Sequence, residues 1–79
     1  MSEKILKELT ELCLLKKWSL RELQMPSRKP VFVGRRAVAV HCLRRLGYSW
    51  STIGRALSRD HSTVIHLFNK FDEQGEPRK

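Results

Sequence analysis

Two short helical runs meet across three polar residues in SWSTIGRALSRDHSTVIHL, residues 49–67, and that junction limits what the chain can become. The first run, from about Trp50 to Leu57, is capped by Ser49 and turns Ile53, Ala56 and Leu57 inward. Ser58 and Arg59 make a tight turn. Asp60 is then placed to cap a last helix, from about His61 to Gln74, by accepting from the amides of Ser62 or Thr63. Val64, Leu67, Phe68 and Phe71 form the core stripe of that helix, and Gly75 with Pro77 ends it. Gly54 costs roughly 1 kcal/mol against alanine in a helix interior, so a glycine there implies that another helix crosses close by. Two short helices joined by a tight turn, the second opening on small polar residues, make a helix-turn-helix pattern.

The rest of the chain reads as support for that pair. Seventy-nine residues leave room for one domain. Ser2 is placed to cap a helix from about Glu3 to Lys17, with Ile5, Leu9, Leu12 and Leu15 at helical spacing and Leu6 and Cys13 widening the stripe. Ser19 caps one short turn carrying Leu20 and Leu23. Pro26 and Pro30 exclude helix from Met25 to Val33, which reads as an exposed basic loop with Arg28 and Lys29 at its tip. Helical period returns from about Gly34, with Val38, Cys42 and Leu46 on one face, Ala39 and Leu43 beside them, and Gly47 at the C-terminus. The expected fold is therefore all-α, a small helical bundle containing a helix-turn-helix at about 50–74. One domain spans 1–74, and 75–79 form a frayed tail.

Charge points to a partner. Met25 to Arg59 holds eight basic residues, seven of them arginine, and no acid, so this segment carries the whole net charge of +8. Scattered lysines are usually a solvated face; uncompensated arginines favour phosphates. Neutralising ~6 phosphates would give a log–log salt slope near −5. Other functions find little support. Two cysteines, Cys13 and Cys42, imply neither a disulfide framework nor a zinc motif, and adjacent His41 and Cys42 point apart on a helix. Asp60, His61 and Ser62 are consecutive, so they diverge where a catalytic triad must converge. No enzyme activity, metal or cofactor is expected. With no signal peptide or spanning stretch visible, the expected location is cytoplasmic and nucleoid-associated.

The stretch SWSTIGRALSRDHSTVIH resembles the signature of the C-terminal DNA-binding domain of the bacterial chromosomal replication initiator DnaA. In that family a Ser-Leu-Pro-Glu-Ile-Gly type segment leads into Arg-Asp-His-[Ser/Thr]-Thr-Val. Here Ser49 and Ile53-Gly54 match the first part, and Arg59 to Val64 match the second without a gap. The resemblance covers residues 3 to 72, strongest after Arg35. It implies that Asp60, His61 and Ser62 read base edges in the major groove, that Thr63 binds backbone or a thymine methyl, and that Arg28 reaches into the minor groove. Arg36 and Arg44 would hold phosphates, with Trp50 and Ser51 against the sugar-phosphate strand. Lys29, Arg35, Arg45 and Arg59 complete the expected backbone contacts. A lone Ser58 stands where the family has Gly-Gly, Trp50-Ser51-Thr52 replaces the Leu-Pro-Glu type residues, and the segment around Gly47 is one residue shorter. These departures bear on the target sequence more than on DNA binding.

The resulting expectation is sequence-specific binding of double-stranded DNA at A·T-rich sites similar to the initiator's box, of the TTATNCACA type, to regulate replication or transcription. The chain is expected to act as a monomer on DNA, off the membrane, with other replication or transcription proteins as further partners. The initiator's ATPase module, with its G-x-x-x-x-G-K-[ST] loop, has no counterpart here. A complete protein of this sequence would occupy a site without driving an ATP-dependent assembly; an excised domain is the alternative. Rival readings are a protein-interaction adapter on a helix-turn-helix scaffold and non-specific nucleic-acid binding. Trp50 is open between core-edge packing and DNA sugars. His66 reads as off the recognition face and structural.

Overall fold

The computed structural model describes residues 3–26 and 29–78. Among these described residues five helices follow in order: α1 (Glu3–Lys16), α2 (Leu20–Gln24), α3 (Pro30–Arg45), α4 (Trp50–Ala56) and α5 (His61–Lys70). Among the described residues, extended pairing is confined to an isolated bridge between Phe71 and Pro77. The all-α expectation holds. The proposed cap Ser2 and the loop residue Arg28 lie outside the described residues.

Helix α3 is the centre of the bundle, packing on α1, α2, α4 and α5. It begins four residues earlier than expected because Pro30 starts it rather than excluding it. At the first helical position the missing N–H is no loss, and proline's fixed φ already suits a helix. The Lys29 carbonyl accepts from the amides of both Phe32 and Val33 at 3.0 Å. The buried face also differs from the expected one. Ala37, Ala39, Val40 and Leu43 are fully buried, while Leu46 is 53% exposed and Val38 and Cys42 are half-buried. A helix with neighbours on several sides buries more than one stripe, and its alanines let those neighbours approach.

Ile5, Leu9 and Cys13 of α1 and Leu23 of α2 close one side of the core. Burial pushes the Cys13 thiol above its usual pKa, as befits a small core residue. Leu15, expected in the stripe, is 79% exposed. It sits in the last turn, where the chain leaves the bundle.

Helices α1, α3 and α4 end in the same way. The amide following a left-handed residue bonds back to the carbonyl five residues earlier: Trp18 N to Cys13 O at 2.8 Å, Tyr48 N to Leu43 O at 3.3 Å, and Arg59 N to Gly54 O at 2.7 Å. The left-handed residues are Lys17 (φ 61°), Gly47 (φ 97°) and Ser58 (φ 56°). Only Gly47 suits that conformation freely. Relieving the left-handed strain at Ser58 is worth about 1–2 kcal/mol, against about 0.4–1 kcal/mol of added freedom in the unfolded chain. Ser58→Gly is thus expected to stabilise the protein modestly, read as a higher urea midpoint at unchanged m value. A lower midpoint would show that the serine side chain supports the turn.

The C-terminal segment is folded back rather than frayed. Helix α5 stops at Lys70, short of the expected Gln74, and Arg78 N donates to Lys70 O at 2.8 Å. Asp72 Oδ1 accepts from the amides of Gln74 at 2.9 Å and Glu76 at 3.0 Å. The Glu76 amide first, then that of Gln74, with Arg78 and His41 nearby, hold the Asp72 carboxyl below its usual pKa against the opposing effect of burial. His41 is buried and donates from Nε2 to Phe71 O at 2.9 Å, its ring stacked on Phe68 at 4.2 Å. Gly75 lies against Gly34 of α3, where a Cβ on Gly75 would come within 2.6 Å of Gly34 O.

Candidate nucleic-acid interface

The turn between α4 and α5 is held by backbone. Ser49 caps α4 by accepting from Thr52 N at 3.2 Å. Ile53, Ala56 and Leu57 are fully buried against Val64 and Leu67 of α5. Gly54 is required at the crossing. A Cβ there would stand 2.6 Å from Arg59 O and 3.5 Å from His61 N, so what approaches is the turn entering α5. With its inner face fixed by Val64 and Leu67, α5 presents its first turn outward: Asp60, His61, Ser62 and Thr63 are all exposed.

Asp60 occupies the N-cap position in extended conformation, but its side chain makes no cap hydrogen bond, contrary to expectation. Its carboxylate lies instead 3.8 Å from His61 Nδ1. The first amides of α5 therefore face outward without a side-chain acceptor from Asp60. Such a helix start can offer donors to a phosphate, while the carboxylate can accept from a base amino group.

His66, expected to be structural, is exposed. It lies four residues after Ser62, one turn along the same face. Arg55, absent from the expected contacts, stands in the same relation to Ser51 on α4, and both are exposed. It has no acidic partner among the described residues. The i, i+4 relation is the signal that would have found both residues.

The arginines of α3 divide by environment. Arg36, expected on phosphates, is only 4% exposed. Its Nε donates to Leu23 O at 3.0 Å and its Nη2 to Met25 O at 2.6 Å. Burial, and secondarily the charge of Arg59, lower its pKa from the ordinary guanidinium value. Arg36 holds the end of α2 to α3. Arg35 is half-buried over the rings of Trp18 (5.4 Å) and Phe32 (5.7 Å), with Glu22 Oε2 4.0 Å away. Arg45 pairs with Glu73. The acid-free segment thus receives acidic partners from both flanks, which linear charge counting misses. Arg44 has none among the described residues and is exposed; its guanidinium lies 4.3 Å over Trp50, with Nη1 donating to Tyr48 O at 2.9 Å. Trp50 is half-buried, edge-on to Phe68 at 5.1 Å, so core-edge packing accounts for its placement.

Arg59 is partly buried and turned toward the protein, donating to carbonyls of the α2 and α4 ends, including Met25 O. Lys29 is exposed at the N-cap of α3. The first turn of α5 and His66 share one face of that helix, and Ser51 and Arg55 share one face of α4. Arg44 stands on Trp50 at the start of α4. Arg36 is set apart in the interior.

Among the described residues, no group of three or more His, Cys, Asp or Glu side chains is placed to hold a metal, and no helix is long and apolar enough to cross a membrane.

The family model for the bacterial dnaA protein helix-turn-helix matches residues 3–71. The chromosomal replication initiator protein DnaA of Thermomicrobium roseum is 45% identical over 58 residues, which are 71% of this chain and 12% of that protein. The chain thus spans a small part of the length of that relative. No solved structure matches.

Proposed function

Because the chain belongs to the bacterial DnaA helix-turn-helix family of DNA-binding domains, we propose that it recognises a specific duplex site through the first turn of α5. The observation that carries this reading is the exposed quartet Asp60, His61, Ser62 and Thr63 at the start of a helix whose inner face is fully committed to the core. Donors and acceptors of both kinds crowd one helix end, which is what reading base edges in a major groove requires. Asp60 suits a cytosine amino group because an acid is tolerated beside DNA only where it meets a donor. Arg44, Ser51, Arg55 and Lys29, all exposed, serve as phosphate contacts, and Arg28 serves the minor groove. The preferred site is an A·T-rich element similar to the TTATNCACA type, and occupancy of such sites regulates replication or transcription. The chain binds as a monomer and works with other proteins of those processes.

Fluorescence anisotropy against a box duplex and a scrambled one, across a salt series, tests this. Wild type is expected to prefer the box at physiological salt. Asp60→Ala or His61→Ala is expected to lower that preference about 5- to 100-fold. Arg44→Ala should weaken both duplexes alike and reduce the salt slope by about 1. Equal affinity of wild type for both duplexes would favour non-specific binding; no binding to either would favour the adapter.

A further inference from the structure

Resting on that reading of α5, we propose that Arg59 is a positioning residue, setting the spacing between the basic loop and the recognition helix, and not a phosphate contact. The C-terminal ends of α2 and α4 meet, and each leaves carbonyls that its own helix cannot satisfy. Arg59 Nη1 is shared among Ser58 O at 2.9 Å, Leu57 O at 3.3 Å and Gln24 O at 3.4 Å, and Nη2 donates to Met25 O. Gln24 Nε2 crosses the other way to Ala56 O at 2.8 Å. Arg36 adds its bond to the same Met25 carbonyl. Two guanidinium groups converge here without a carboxylate because the carbonyl oxygens of two helix ends surround them. A planar fork with five donors can span this cluster, and an ammonium cannot.

The position of this joint gives it its role. Met25 leads directly into the basic loop, and Arg59 is two residues before His61. A cleft of about 530 Å³ opens over the joint, with Pro26 of the loop and Thr63 of α5 among its walls. The chain entering the loop and the chain entering the recognition helix are therefore tied to one hydrogen-bonded cluster. A duplex contacted by both must match the spacing that the cluster fixes.

The test uses Arg59→Ala and Arg59→Lys in the full chain, with folding followed by circular dichroism; the lysine variant keeps the charge and the stem. Each is titrated against the box duplex, a scrambled duplex, and a box with one base pair inserted between its A·T-rich and CACA parts. For wild type the insertion should cost about 10- to 100-fold. Both variants should bind the intact box more weakly and show the insertion penalty reduced to a few-fold, the lysine variant behaving like alanine. Variants that lose affinity equally for all three duplexes, or full rescue by lysine, would overturn the positioning role in favour of a phosphate contact. Wild type that does not distinguish the box from its scramble would instead remove the site-specific reading, and the spacing role with it.

Discussion

Gly54→Ala is expected to destabilise the protein by about 2 kcal/mol, although alanine is the better helix former. Propensity alone favours alanine by about 1 kcal/mol. Against this, the new Cβ would stand 2.6 Å from Arg59 O, an atom of the backbone that no rotamer change can move aside. That carbonyl belongs to a turn already tied back by Arg59 N to Gly54 O at 2.7 Å. Overpacking of this kind costs about 1–3 kcal/mol and occasionally more, so the clash outweighs the propensity. The turn must move, and α5 moves with it. Urea unfolding should show the lower midpoint, and box discrimination should fall further than non-specific affinity. A stabilised Gly54→Ala protein would mean that the two helices do not cross this closely.

Arg36→Ala should cost more, about 3–4 kcal/mol. It leaves the buried Leu23 carbonyl without its donor at 3.0 Å, weakens the satisfaction of Met25 O, and empties the space of a long side chain that is 4% exposed. Removing the positive charge beside Arg59 offsets a little of this. Arg36→Met separates the effects, since it keeps most of the stem volume and loses only the hydrogen bonds; about 2 kcal/mol is expected. The decisive readout is DNA binding by the folded methionine variant. If Arg36 is internal, the salt slope of binding stays as in wild type; a slope reduced by about 1 would restore it to the phosphate face.

What could be read in the sequence was local. Ser19 and Ser49 cap their helices because a serine before an apolar repeat is a short-range signal. The inward set of Ile53, Ala56, Leu57, Val64 and Leu67 followed from period alone. Arg36 was hidden because its burial depends on two helix ends meeting, one of them 13 residues earlier in the chain. Arg35 and Arg45 looked unpaired because Glu22 and Glu73 lie outside the segment counted. Pro30 is ambiguous in one dimension, since proline both breaks helices and begins them. His66 and Arg55 are legible along the helix face, four residues after Ser62 and Ser51, and not in chain order. The family resemblance pointed correctly to the fold and to membership. It gave no warning that Asp60 would leave its capping bond unmade.

Gly34 and Gly75 bind the history of the tail to that of the central helix. A Cβ on either would crowd the other's carbonyl, at 3.0 Å from Gly75 O or 2.6 Å from Gly34 O. Gly75 also needs its left-handed φ of 79°, so the two positions do not exchange freely. A lineage that replaced Gly34 would have to lift the C-terminal turn from α3, and one that rebuilt the turn would release Gly34 to become any good helix former. Among relatives, these sites should therefore change together or not at all, as one inherited unit 41 residues apart in sequence.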